Sequence, residues 1–114
     1  MPEPLAALIR AEFPAAQWVN AGEISYLESG WRADAEADTR WRADGELGVE
    51  YTMDDGRSAL TEWAVGYYQI NIGAHGGDFA TWSDPARNVA KARELWGYSG
   101  WSPWYYSAQS LGLL

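Results

Sequence analysis

Apolar residues recur at helical spacing in the first quarter of the chain, and the pattern predicts two helices there. Over residues 4–12, Leu5, Leu8 and Ile9 share one face, and Pro4 suits the first helical position. Phe13-Pro14 should break that helix, because a residue before proline is pushed out of the α region. Residues 15–29 predict a second helix, with Trp18, Ala21, Ile24, Ser25 and Leu27 facing inward. Gly30 suits a cap just past its end. Residues 31–47 lose the period and become polar and charged. Val49-Glu50-Tyr51-Thr52 reads as a strand, and Asp54-Asp55-Gly56 as a hairpin turn. Residues 64–72 read as part strand and part irregular, and residues 75–78 as loop. Asp84-Pro85 is the clearest helix start, a capping carboxylate followed by proline. That helix is expected to run to about Trp96, with Val89, Ala92 and Leu95 or Trp96 inward and Gly97 ending it. A last short helix should begin at Ser102-Pro103 and hold Trp104, Tyr105 and Ala108. No linker or low-complexity tract divides the 114 residues, so one domain spanning 1–114 is expected.

Composition narrows the chemistry. Hydrophobic residues make up 47% of the chain, enough for a packed core rather than a disordered polymer. Eight Trp and seven Tyr are many for this length, and such rings either fill a core or line a groove for flat ligands such as sugars. With no cysteine there is neither a disulfide nor a thiolate metal site. His75 is alone, so no histidine-rich metal site can form, and Gly76-Gly77 has no phosphate-loop context. No metal and no cofactor are expected. The net charge of −8 argues against nucleic acid, whose binding rests on cationic groups facing phosphates. No run approaches the ~18 apolar residues of a membrane helix. Residues 1–20 lack the basic and apolar segments of a secretory signal. The chain is therefore expected to be made in the cytoplasm and not to insert into a membrane.

One carboxylate stands out. Glu28 lies in Leu27-Glu28-Ser29-Gly30-Trp31, in the expected last turn of the second helix. An anion there meets the negative end of the helix dipole, and apolar neighbours disfavour its charge, so its pKa should rise. Glycoside cleavage needs such a protonated acid beside the leaving oxygen. Taken alone, Glu-Ser-Gly reads as readily as a solvated helix end. About forty residues later comes Gly66-Tyr67-Tyr68-Gln69-Ile70-Asn71. Further on are Asp84-Pro85, Asn88, Ala90-Lys91-Ala92 and Gly100-Trp101-Ser102-Pro103-Trp104. In this order, the three segments resemble the lysozyme-like superfamily of lysozymes, soluble lytic transglycosylases and phage lysins. The resemblance covers roughly residues 18–110.

That resemblance implies an α+β fold, mainly helical, with a small β-hairpin lobe and a cleft between the lobes. It implies a muramidase that hydrolyses the β-1,4 bond between N-acetylmuramic acid and N-acetylglucosamine in peptidoglycan, with Glu28 as general acid. Ser29, Tyr67, Tyr68, Gln69, Asn71, His75, Trp104 and Tyr105 would bind the glycan. Glu62, four residues before Gly66, is the expected second catalytic carboxylate, with Glu36, Glu46, Glu50 and Asp55 as rivals. The proline and the C-terminal Ala-Tyr-Asn common in transglycosylases are absent, and Trp104-Tyr105-Tyr106 stands nearest the latter. These departures favour a hydrolase, with a lytic transglycosylase acting on the same bond as the alternative. A reading from another class is a non-catalytic glycan-binding or virion structural module. The expected partner is the peptidoglycan strand, met by a monomer after lysis, holin release or as part of a virion. The charge of −8 fits awkwardly with an anionic wall.

Overall fold

The computed structural model describes residues 1–37, 50–52, 58–60 and 63–114, of which 50–52 and 58–60 are described as backbone only. Helices α1 (Glu3–Glu12) and α2 (Trp18–Ser29) open the chain, joined by a 3-10 turn at Ala15–Gln17. Among the described residues five short strands follow: β1 (Glu36–Ala37), β2 (Glu50–Thr52), β3 (Ser58–Leu60), β4 (Ala64–Val65) and β5 (Ile70–Asn71). Then come α3 (Ile72–His75), α4 (Phe79–Ser83), α5 (Pro85–Ser99), a 3-10 turn at Ser102–Trp104 and α6 (Tyr105–Ser110). The fold is mainly helical, with a small antiparallel sheet in the order β1-β4-β5 and a separate β2-β3 hairpin.

The helix boundaries follow from local chemistry. Proline stands in the first turn of α1, and Phe13 is extended before Pro14. Gly30 ends α2 in the left-handed conformation at φ 62°, donating its N–H to the Tyr26 carbonyl. Asp84 caps α5 by accepting from the Arg87 N–H at 2.9 Å, with Pro85 next. Three expectations need correction. Gly97 does not end α5, which runs through it to Ser99 with Gly100 as its cap. Trp18 and Leu27 of α2 are exposed rather than inward. The buried face of α2 is Ala21, Gly22, Ile24, Ser25 and Ser29. At roughly 100° per residue, Leu27 lies about 200° round the helix from Ser25, so the two cannot share a face. Finally, 75–78 is not all loop, since His75 closes α3, and Asp78 starts α4. The Asp54-Asp55-Gly56 turn lies outside the described residues, but the strands on either side of it pair antiparallel, Tyr51 opposite Ala59.

The core is an aromatic stack between α1, α2, α5 and α6. Phe13 stacks on Trp101 at 5.5 Å between centroids, Trp101 meets Trp104 at 5.4 Å, and Trp104 meets Tyr68 edge-on at 5.9 Å. Leu5, Ile9, Ile24, Val89 and Ala108 fill the gaps. The unusual member is Tyr68, because it belongs to the loop of the β4-β5 hairpin. Residues 66–69 carry that loop into the helical core, where Tyr67 and Tyr68 are 5% and 0% exposed.

Candidate functional site

A buried loop must satisfy its own peptide groups, since each one left unpaired costs about 1–3 kcal/mol. Here two α-helices, a 3-10 turn and the residue before β1 do this work. Asn88, fully buried on α5, accepts from the Tyr68 N–H at 2.8 Å and donates to the carbonyls of Val65 at 2.9 Å and Trp82 at 2.8 Å. Ser25 of α2 donates to the Tyr67 carbonyl at 3.0 Å. The Trp104 indole donates to the Tyr68 carbonyl at 2.9 Å. The Gly66 N–H donates to the Ala35 carbonyl at 2.8 Å, just before β1. The Tyr68 hydroxyl, at the far end of its ring, donates to the Ala21 carbonyl of α2 at 2.8 Å. Burial drives its pKa far above the ordinary phenol value. The loop leaves the core through Gln69, a non-glycine residue at φ 50°. Its amide donates to the Ala35 and Gly66 carbonyls at 3.1 and 2.9 Å.

This cradle sets Gln69, Ile70 and Asn71 against the end of α2. Together with Glu28, Tyr68, His75, Leu95, Pro103 and Trp104 they line a cleft of about 100 Å³. Glu28 is half-buried there. Desolvation raises its pKa above the usual carboxylate value, opposed by one hydrogen bond from the Ser107 hydroxyl to its Oε2 at 2.6 Å. Ser107 is itself buried on α6. With Oε2 engaged as an acceptor, Oε1 is the oxygen left to carry a proton. Asn71 accepts from the Gly73 N–H at 2.9 Å, capping α3. His75 is exposed at the other end of that helix, its pKa lowered by burial first and by the charge of Lys91 second.

The expected glycan-binding residues divide into two groups. Gln69, Asn71, His75 and Trp104 do meet Glu28 at one cleft. Trp104, however, is 5% exposed, so it forms the back wall and offers no open ring face. Tyr68 likewise reaches the cleft only from behind, with its ring in the core. Three others are not part of the lining. Ser29 turns inward and donates to the Ser25 carbonyl at 2.9 Å. Tyr67 is packed in the core, where desolvation raises its pKa. Tyr105 is exposed on α6, edge-on to Tyr106. A sugar-stacking role for Tyr67 and Tyr68 therefore fails on burial, because the rings are packed in the core. Glu62, Glu46 and Asp55 lie outside the described residues. Glu36 is exposed on β1, and Glu50 lies on β2. Ser107 and Asn88 are the residues that reasoning from sequence did not place as partners of the site. Asn88 appeared as part of a motif, but nothing local to Ser107 signals its contact with a carboxylate 79 positions away.

Among the described residues no cluster of His, Cys, Asp or Glu could hold a metal ion, and no helix is long and apolar enough to cross a membrane. Comparison of the chain with known protein families gives no match, and comparisons with curated proteins and with solved structures give none either.

Proposed function

We propose that the chain has a lysozyme-like fold and is a peptidoglycan-cleaving muramidase, with Glu28 as general acid. The observation that carries this reading is the meeting of three separate segments at one cleft. The end of α2 brings Glu28, the Gly66 hairpin brings Gln69 and Asn71, and the Pro103-Trp104 turn closes the wall. A carboxyl group there with a raised pKa, accepting one hydrogen bond at Oε2, is suited to proton donation. In the proposed reaction the Oε1 proton passes to the glycosidic oxygen as its bond to the muramic acid C1 breaks. Water then adds at C1 and returns a proton. Gln69 and Asn71, which line the cleft, would orient the sugar through the amide atoms not already bonded within the protein. Glu62 remains the proposed second carboxylate, with Glu36, Glu46, Glu50 and Asp55 as rivals.

Mass spectrometry of peptidoglycan digested by the purified protein tests the reading. Muropeptides with free muramic acid reducing ends are expected. Products ending in 1,6-anhydromuramic acid would replace the hydrolase with a transglycosylase on the same bond. An undigested wall, with the protein folded, would leave a glycan-binding module without catalysis.

A further inference from the structure

A larger recess, about 370 Å³, lies where α4 meets the first half of α5, lined by Thr81, Trp82, Arg87, Ala90, Lys91 and Glu94. Arg87 and Lys91 stand four positions apart on α5, so they project from the same side of the helix. Ala90 keeps the floor low. Trp82 is a fixed wall, because its indole donates to the Gly76 carbonyl at 2.7 Å and its own carbonyl accepts from Asn88 at 2.8 Å. The Thr81 hydroxyl is already engaged with Asp78 at 2.8 Å. Arg87 makes no ion pair among the described residues. Lys91 meets Glu94 at 3.3 Å in a pair open to solvent, of a kind that contributes little and exchanges readily. The lining thus sets two cations and an indole against the Glu94 carboxylate, with Asp78, bonded to Thr81, also within the field of Arg87, in a chain whose net charge is −8.

The recess neighbours the Glu28 cleft, although the two share no lining residue. His75 lines that cleft and also lies within the fields of Lys91 and Glu94. Leu95, another cleft residue, directly follows Glu94 of the recess. A glycan with its neutral sugars beside Glu28 could therefore carry an anionic substituent towards Arg87. We propose that the recess binds the carboxylate-bearing peptide substituent of the glycan whose sugars occupy the Glu28 cleft. Arg87 supplies a planar fork for a carboxylate, Lys91 a second point charge, and Trp82 a flat wall for peptide groups. The identity of the substituent rests on the muramidase reading above; the recess and its charge do not.

Two measurements test this. Sugar-free stem peptide with its carboxylates intact is titrated into the isotope-labelled protein and followed by NMR. The Trp82 indole N–H and the amides of 87–94 should shift, and the Arg87→Gln/Lys91→Gln double variant should bind roughly tenfold more weakly. Both substitutions replace side chains at the surface of a helix with good helix formers, so the fold is retained. In parallel, the double variant is assayed on intact peptidoglycan and on glycan strands stripped of peptide. KM should rise about tenfold on the first with kcat unchanged, and stay at the wild-type value on the second. Peptide binding at 87–94 in a protein that cleaves no glycan would uphold the recess and remove the muramidase reading. Cleavage whose KM responds equally on both substrates, or no shift on adding peptide, would overturn the recess and leave the muramidase reading standing.

Discussion

Glu28 and Asp78 are carboxylates at opposite kinds of helix end, and the protein treats them in opposite ways. Glu28 closes α2, half-buried, and burial raises its pKa. Asp78 opens α4, fully exposed, and hydrogen bonds from the Thr81 backbone and hydroxyl lower its pKa. The two differ equally in how they are built. Asp78 takes its partners from three positions away, in a capping box that closes on itself. Glu28 takes its one hydrogen bond from 79 positions away, and the wall beside it depends on bonds spanning 20 to 47 positions. A local device gives a stable anion. A distant assembly gives a carboxyl group with a raised pKa.

The sharpest way to break this comparison is to attack one glycine at each end. Gly66 and Gly76 both have positive φ, at 85° and 73°. A side chain at either is strained, at a cost of about 1–3 kcal/mol. At Gly76 a Cβ would meet open space, whereas at Gly66 it would overlap the Asn88 amide and the Trp82 carbonyl. Gly66→Ala is therefore expected to cost at least ~4 kcal/mol, a fall in Tm of roughly 15 °C or more. Gly76→Ala should cost only the conformational part. Similar melting temperatures for the two variants would show that the hairpin loop is not packed in the core. Next in size is Glu28→Gln, which keeps shape and the Ser107 contact but cannot donate a proton. Wall cleavage should fall by ~10²-fold or more. A variant with near wild-type turnover and an unchanged circular dichroism spectrum would remove Glu28 from the mechanism.

What the sequence disclosed follows the same division. The capped start of α5 at Asp84-Pro85 was legible because cap and proline are neighbours. So was the end of α2 at Gly30, and with it the placing of Glu28 in a last turn. The Asp78 box was equally local, and reading 75–78 as loop overlooked the Asp-x-x-Thr spacing. The rest could not be read locally. Tyr67 and Tyr68 look like sugar-binding rings as long as the hairpin loop is taken to face solvent, as most loops do. Only Asn88, Ser25 and Trp104 together make its burial possible, and each comes from a different helix. Trp18 and Leu27 were misplaced for a simpler reason, since nearly every residue of α2 facing either way is apolar or small. The pattern of α2 alone does not choose a face.

Removing Ser107 separates the acid from what tunes it. The Ser107 hydroxyl favours ionised Glu28, so its loss should raise the pKa further. A general acid works below its pKa and fails as pH rises through it. In Ser107→Ala, the alkaline limb of kcat/KM should therefore move to higher pH, while stability falls by about 0.5–1.5 kcal/mol for the lost hydrogen bond. A limb that moves to lower pH, or stays in place, would mean that Ser107 does not act on Glu28.

The smallest effect gives the cleanest contrast, because the two carboxylates should have opposite linkage to pH. For Glu28 the folded-state pKa is above the unfolded one. Its contribution to stability is fully present below the unfolded value, near 4.3 for a free Glu, and is lost as pH rises through the folded value. At neutral pH, well above the unfolded value, the raised pKa is thus a burden on stability, and Glu28→Gln should melt at or above the wild-type temperature. That gain should vanish in acid, where both side chains are neutral. For Asp78 the folded pKa lies below the unfolded one. Its contribution is present above the unfolded value, near 3.9 for a free Asp, and is lost as pH falls through the folded value. Asp78→Asn keeps a good capping residue but removes the charge, so it should lower Tm at neutral pH and leave it unchanged in strong acid. Plotted as variant minus wild type, the two curves should lie on opposite sides of zero at pH 7 and converge on zero in acid. Curves on the same side at pH 7 would show that burial does not govern Glu28, and the contrast between the two helix ends would collapse.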